Sequence, residues 1–166
     1  MKILNSTPSI VPGLLPLLRA IAVGCLCALF VGCADNSNRE KNYAEARVKI
    51  KQGSHNIEMV AIVERYKDLE CKPDEIYLKL IEMCDGLENC TTLKYECKDQ
   101  LNKRYTKMFA KQPTTSKYLH MTHNKTELNG VAIFWGLTAD ESAQVCQMTK
   151  QQILNKGGRE IDAVCI

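Results

Sequence analysis

The chain lacks the composition of several protein classes. Its 166 residues carry a net charge of only +3, and aromatic residues make up 6% of them. Nine glycines and five prolines are too few for a collagen-like or low-complexity chain. So small a net charge disfavours binding driven by phosphate neutralisation, and we expect no nucleic-acid partner. Because 45% of the residues are hydrophobic, we expect one packed domain.

The sequence also lacks the motifs of common enzyme classes. It has no GxSxG elbow, no HExxH pair and no glycine-rich phosphate loop. Its cysteines form neither the paired CxxC knuckles of a zinc site nor a CxxC redox centre. We therefore expect no enzyme activity, no cofactor, no resident metal and no small-molecule substrate.

Acidic residues are absent from the first 32 residues. This segment carries Lys2 and Arg19, followed by an apolar stretch of about 13 residues from Ala20 to Gly32. That stretch is shorter than the ~20 residues a membrane-spanning helix needs. The layout is typical of a secretory signal, so residues 1–32 are assigned to export and not to the fold.

The apolar stretch ends in Phe30, Val31, Gly32 and Cys33, and the chain then turns polar at once. This ending resembles the lipobox of bacterial lipoproteins. The resemblance implies that Cys33 becomes the new N-terminus and carries a diacylglyceryl thioether and an N-acyl chain such as palmitate. More than one acyl chain makes membrane attachment effectively permanent. Ala34, which is not the Asp of the inner-membrane retention signal, favours the periplasmic face of the outer membrane. The alternative is an ordinary cleaved signal with an incidental cysteine.

Six cysteines remain once the signal segment and Cys33 are set aside. An even number in an exported chain predicts a disulfide framework of up to three bridges. We expect Cys146 to pair with Cys165. For the other four, one pairing joins Cys84 to Cys90 and Cys71 to Cys97, and the alternative joins Cys84 to Cys97. The six cysteines are Cys71, Cys84, Cys90, Cys97, Cys146 and Cys165.

Hydrophobic periodicity predicts an α+β fold, a small disulfide-bridged domain with a helical hairpin and a short antiparallel sheet. Residues 33–53 are interpreted as a lipid-anchored polar tether that continues into an exposed helix over 38–52. Residues 54–166 form the disulfide-bridged domain. The hairpin pairs a helix from Pro73 to Cys84 with a longer one from Thr91 or Thr92 to Lys111.

Strands and one more helix are predicted around this hairpin. A β-rich run over 57–66 favours a strand. Asn129 and Gly130 favour a two-residue turn between strands over 118–128 and 131–137. Thr138 and Glu141 form a capping-box pattern that opens a helix ending near Gly157, and a last short strand follows over 160–166.

The second predicted helix is strongly basic, and it carries the candidate binding residues. Its partner would be an acidic protein or anionic lipid headgroups, the alternative being a solvated helix face without function. Trp135, the only tryptophan, is either a core anchor or an exposed binding residue, with the core favoured. The candidate binding residues are Lys98, Lys103, Arg104 and Lys107, with Lys94 and Lys111 beside them.

Two histidines, His120 and His123, raise the possibility of a copper or zinc site. Alternation along a regular strand points them apart, His120 with Ile133 and Trp135, and His123 with Phe134. We therefore expect no metal site.

These observations predict a membrane-anchored envelope lipoprotein that acts as a protein-binding module of the inhibitor, immunity, exclusion or assembly type. Its partner would be an envelope protein or an incoming one. The competing hypothesis is an envelope enzyme or a metal-binding protein that uses His120. A eukaryotic secreted glycoprotein is a third possibility, because Asn89 and Asn124 begin formal glycosylation sequons.

Overall fold

The computed structural model describes residues 40–52, 55–67, 89–157 and 160–166. Within them, six strands form one sheet, a 3-10 turn runs into the short helix α1, and a longer helix, α2, precedes the last strand. The strands are β1 (Lys41–Gln52), β2 (His55–Tyr66), β3 (Cys90–Lys98), β4 (Tyr118–His123), β5 (Asn129–Trp135) and β6 (Ile161–Cys165). The helical elements are the 3-10 turn (Lys103–Tyr105), α1 (Thr106–Phe109) and α2 (Ala139–Gly157).

The sheet has the strand order β3-β1-β2-β5-β4-β6, and every neighbouring pair is antiparallel. β1 and β2 pair over their full length, from Lys41 opposite Tyr66 to Gln52 opposite His55. β3 pairs with the side of β1 that faces away from β2, and β5 pairs with the other side of β2. The domain is therefore built around one antiparallel sheet, and the predicted combination of a helical hairpin and a short sheet is wrong.

β1 replaces the exposed helix predicted over 38–52. Ala44, Ala46, Val48 and Ile50 are fully buried, and polar or charged residues stand between them. An alternation with a period of two residues places one row on each face of a strand. This alternation is weak in the sequence because two of the four inward residues are alanines, which add little to an apolar pattern.

β3 replaces the first half of the helix predicted from Thr91 or Thr92 to Lys111. Arg47 pairs with Lys94 but Val48 pairs with Thr92, so the pairing skips one residue of β3 at a bulge. The bulge interrupts the two-residue alternation that would have identified a strand. The other predicted helix, over 73–84, lies outside the described residues.

The two faces of the sheet carry separate hydrophobic clusters. Helix α2 covers one face, where Val145, Cys146 and Ile153 pack against the inward rows of the strands. On the other face, Tyr105 and Met108 pack against residues of β2, β4 and β5. The strands between them, β2, β4 and β5, therefore contribute to both clusters.

The connection between β4 and β5 is longer than the predicted two-residue turn. Asn129 and Gly130 lie inside β5, opposite Thr122 and Met121. The backbone N–H and the side-chain amide of Asn129 both donate to Glu64 Oε2, at 2.8 and 3.1 Å, and this holds Asn129 in the sheet. Glu127, with φ of 54°, takes the left-handed conformation in the loop instead.

Several predictions about the C-terminal part are confirmed. The N–H of Thr138 donates to Glu141 Oε2 at 2.9 Å, and the Glu141 N–H donates to Thr138 Oγ1 at 3.3 Å, which is the reciprocal pattern of a capping box. Helix α2 and strand β6 follow as predicted, and the strand predicted over 57–66 is β2.

The predicted bridge between Cys146 and Cys165 is present, and it joins α2 to β6. Cys90 and Cys97 are also disulfide-bonded. They stand seven positions apart on β3, about 23 Å at ~3.3 Å per residue, too far to bond to each other. Cys71 and Cys84 lie outside the described residues, so the pairings proposed for them stay predictions.

Candidate functional site

The segment from the 3-10 turn through α1 separates apolar from basic residues. Tyr105 and Met108 are buried against the sheet, whereas Lys103, Arg104 and Lys107 are exposed. Residues three and four positions apart lie on one side of a helix, so the three basic side chains share its outer side. The Asn102 side chain begins the turn by accepting the N–H of Arg104 at 3.1 Å.

Arg104 is held against two aromatic rings. Its guanidinium carbon lies 4.4 Å from the centroid of the Tyr105 ring and 5.2 Å from that of Trp135. The guanidinium also donates to the Tyr105 hydroxyl. A cation over the face of an aromatic ring is attracted by the ring quadrupole. We call Lys103, Arg104, Lys107 and the half-buried Trp135 the basic surface.

A network of charges on the same face of the sheet supports the basic surface. Arg47 donates to the Tyr105 hydroxyl at 3.0 Å, to Glu58 Oε1 at 3.1 Å and to Glu45 Oε1 at 2.7 Å. Glu58 stands opposite Trp135 in the pairing of β2 with β5. Arg47 thus ties the central strands to the ring beneath Arg104.

Lys98, a predicted binding residue, belongs to this network and not to the basic surface. Its Nζ lies 2.6 Å from Glu45 Oε2 and 3.0 Å from Glu96 Oε2. Burial acts to lower the pKa of Lys98, but the hydrogen bonds and charges of the two carboxylates outweigh it and raise the pKa overall. The structure therefore brings three of the four predicted binding residues together and assigns the fourth to internal pairing.

The two histidines of β4 lie on opposite faces of the sheet, as the strand alternation predicts. His120 is 1% exposed, and its ring donates to the backbone carbonyl of Phe109. Burial, and secondarily the positive charge of Lys111, lowers the pKa of His120 to about 4. His123 Nε2 lies 3.9 Å from Glu160 Oε2, on the other face.

The described residues hold no group of three or more His, Cys, Asp and Glu side chains that could bind a metal ion. In the same part of the chain, no helix is long and apolar enough to cross a bilayer. Cys33, the predicted lipidation site, lies outside the described residues.

No protein-family model, curated protein or solved structure matches the chain. Sequence reasoning found three basic residues of the site but missed the network of Glu45, Arg47 and Glu58. The available signal was that charged residues occupy every second position within 43–49. In a strand this spacing places Glu45 and Arg47 on one face.

Proposed function

We propose that this protein is a lipid-anchored envelope protein whose domain binds a partner protein through the basic surface. The observation that carries the proposal is the placement of Arg104, an exposed cation that Tyr105 and Trp135 hold in one position. Ordering a long side chain costs free energy on binding, and an arginine already fixed by ring contacts avoids part of that cost.

The chemistry of the surface favours a protein as the partner. Arginine and tryptophan are enriched among the residues that dominate protein–protein binding energy. The half-buried Trp135 offers apolar area, and Lys103 and Lys107 flank Arg104 with positive charge that no acidic side chain in the described residues pairs in a salt bridge. We expect an acidic patch with an adjacent apolar side chain on an envelope or incoming protein. A surface that binds only lipid headgroups needs positive charge alone. The basic surface also offers the apolar area of Trp135, which suits a protein partner.

The cysteine content supports an oxidising compartment. Cys146 and Cys165 are bridged, and Cys90 and Cys97 are disulfide-bonded as well. Such bridges persist in exported proteins and are rare in reducing cytosol. Together with the lipobox-like ending at Cys33, this supports attachment to a membrane that faces the periplasm, and Ala34 favours the outer one. Mass spectrometry of the intact mature chain tests the anchor. We expect a chain that begins at Cys33 and carries added acyl mass.

Site-specific photo-crosslinking in the native host tests the binding surface. A photoreactive amino acid at Lys107 is expected to give a discrete crosslinked protein, identified by mass spectrometry. The same amino acid at Lys125, an exposed lysine in the loop at the opposite end of β5, serves as the matched control. Adding Arg104→Glu should remove the Lys107 product, whereas Lys125→Glu should leave it unchanged.

Two outcomes would contradict the proposal. One is a Lys107 product that survives Arg104→Glu, which would show that the crosslink does not depend on the basic surface. The other is crosslinking only to lipid, together with binding of the purified chain to vesicles of anionic lipid that Arg104→Glu abolishes. That result would assign the surface to the membrane.

A further inference from the structure

Asn129 and Gly130 form the only asparagine–glycine pair in the chain. The sequence predicts a turn for this pair, but the structure places both residues inside β5. Asparagine followed by glycine is also the pair that deamidates most readily in a flexible chain, because glycine has no side chain to hinder attack on the asparagine amide. The reactivity of Asn129 therefore depends on how the sheet holds the two residues.

Deamidation joins the backbone nitrogen of Gly130 to the side-chain carbon Cγ of Asn129. The Gly130 nitrogen gives up its proton and bonds to Cγ, the bond from Cγ to Nδ2 breaks, and ammonia leaves. Water then opens the resulting five-membered imide at either carbonyl and leaves aspartate or isoaspartate at position 129. The reaction needs only water and a backbone that can bend until the nitrogen meets Cγ.

The sheet holds the attacking nitrogen in place. Gly130 is buried, and it stands opposite Met121 of β4. The His123 N–H donates to the Leu128 carbonyl at 2.9 Å. In an antiparallel ladder every second pair exchanges hydrogen bonds, so Met121 and Gly130 are the next bonded pair. The Gly130 N–H is thus committed to the Met121 carbonyl, and the extended backbone keeps it from turning towards Cγ of Asn129.

The amide under attack is held as well. Asn129 Nδ2 donates to Glu64 Oε2 at 3.1 Å, and Asn129 Oδ1 accepts the hydroxyl proton of Thr122 at 3.0 Å. The backbone N–H of Asn129 donates to the same Glu64 oxygen at 2.8 Å. The Glu64 side chain is only 11% exposed, so water competes little for these bonds. Turning Cγ towards the Gly130 nitrogen would break both hydrogen bonds of the amide.

Deamidation would turn the contact with Glu64 against the fold. The amide nitrogen that donates to Glu64 is replaced by a carboxylate oxygen, which can only accept. Two carboxylates then meet where the amide now bonds, and like charges in contact repel. Lys41 Nζ lies 3.1 Å from Glu64 Oε2, but it is partly exposed and offsets only part of that repulsion. Isoaspartate also adds one carbon to the backbone, which disrupts the pairing of β5 with its neighbours.

We propose that Asn129 is a covalent modification site that the sheet protects while the chain is folded, and that deamidation in the unfolded chain lowers the stability of the product. A chain that stays folded keeps the Asn129 amide. A chain that remains unfolded loses it, and because the released ammonia does not return, refolding does not reverse the loss.

Peptide mass spectrometry of the purified full chain measures the protection. The chain is incubated at neutral pH in native buffer and in guanidinium chloride, without reductant so that the bridges stay oxidised. We expect Asn129 to gain one mass unit at least about tenfold faster in the denaturant, because the native sheet opens only rarely. A synthetic peptide with the sequence of residues 126–133 is the matched control. It should react at similar rates in both solutions, since it has no sheet to protect it.

Variants test the effect of the product. Asn129→Asp should lower the equilibrium constant for folding at least about tenfold in urea unfolding, because a hydrogen bond to a charged group is lost and a like charge is added. The double variant of Asn129→Asp with Glu64→Gln exchanges donor and acceptor, since the new amide can donate to the new carboxylate. It should recover most of the loss. Asn102→Asp is the control, because aspartate also caps a helical turn, and it should change the constant less than about twofold.

Equal rates at Asn129 in native buffer and in denaturant would overturn the proposal. Folding of Asn129→Asp as stable as that of the wild type would overturn it too, and so would a double variant no more stable than Asn129→Asp alone, which would remove Glu64 as the cause. If Asn129→Asp does not fold, the comparison of rates in the wild-type chain still decides whether the sheet protects the amide.

Discussion

Lys98 Nζ lies 2.6 Å from Glu45 Oε2, which makes this lysine part of an internal ion network. Glu45 is only 3% exposed, and Arg47 Nη2 approaches its other carboxylate oxygen at 2.6 Å. Burial of Glu45 acts to raise its pKa, but the hydrogen bonds and charges of Lys98 and Arg47 outweigh burial and lower the pKa overall. Two cations are thus committed to one buried carboxylate.

Replacing Glu45 should therefore destabilise the domain. Glu45→Ala leaves Arg47 and Lys98 without their counter-charge, and the expected loss in the free energy of unfolding is about 2 kcal/mol, below the ~3 to 5 kcal/mol typical of fully buried pairs because both cations are partly exposed. Urea unfolding at pH 7 measures the loss. Glu96→Ala, at a more exposed partner of Lys98, is the control and should cost less than about 1 kcal/mol. Equal losses in the two variants would show that burial of Glu45 does not matter.

The Cys146–Cys165 bridge closes a loop across 19 positions of sequence separation. Replacing both cysteines with alanine should lower the free energy of unfolding by about 3 kcal/mol, because the unfolded chain regains the entropy that the bridge removes. Urea unfolding of the double variant, without reductant, tests this while the other bridges stay oxidised. A loss below about 1 kcal/mol would mean that packing of α2 on β6 holds the two elements without the bridge.

Buried His120 should make stability depend on pH. Its pKa is about 4 when folded and ~6.5 when unfolded, so between these values the unfolded chain binds the proton and stability falls as pH falls. From pH 7 to pH 5 the loss from this group is about 2 kcal/mol. His120→Gln, which cannot titrate but retains a donor for the Phe109 carbonyl, should lose that much less over the same range. Parallel pH profiles for the two proteins would contradict the assignment.

Gly136 adopts a φ of +84°, and a Cβ placed there would lie 2.0 Å from the backbone oxygen of Asn56. Gly136→Ala should cost more than about 3 kcal/mol, because the backbone of β2 has to move. Gly136→Asn is the informative comparison, since asparagine tolerates positive φ but carries the same Cβ. We expect the two variants to be equally destabilised in thermal unfolding. Recovery of stability by asparagine would point to backbone conformation as the main cause.

The sequence predicted the C-terminal elements well because their signals are local. The capping box of Thr138 and Glu141 acts within a few positions and was interpreted correctly, and α2 ends at Gly157 as predicted. His120 and His123 were also predicted correctly to lie on opposite faces of the sheet, although the predicted turn was wrong. The predicted and the observed register differ by an even number of residues, and such a shift keeps every side chain on its face.

The N-terminal strands were missed because their signals depend on partners far away in the chain. β1 is stable as a strand only between β2 and β3, and its inward alanines gain burial from the facing residues of those strands. Asn129 likewise leaves the turn because Glu64, on another strand, accepts two of its hydrogen bonds. Part of the basic surface was visible in the sequence. The ring contacts that orient Arg104 were not visible in the sequence, because they depend on Trp135, which is distant along the chain.

The middle strands of the sheet contribute residues to two hydrophobic clusters, and this limits how the domain can open. Val60 and Ile62 of β2 face one cluster while Met59 and Ala61 face the other, so β2 cannot leave the sheet without disrupting both clusters. Local opening should be confined to the outer strands, and amide protons of β2 and β5 should exchange with deuterium only when the whole domain unfolds. The slowest-exchanging amides would then report the global free energy of unfolding.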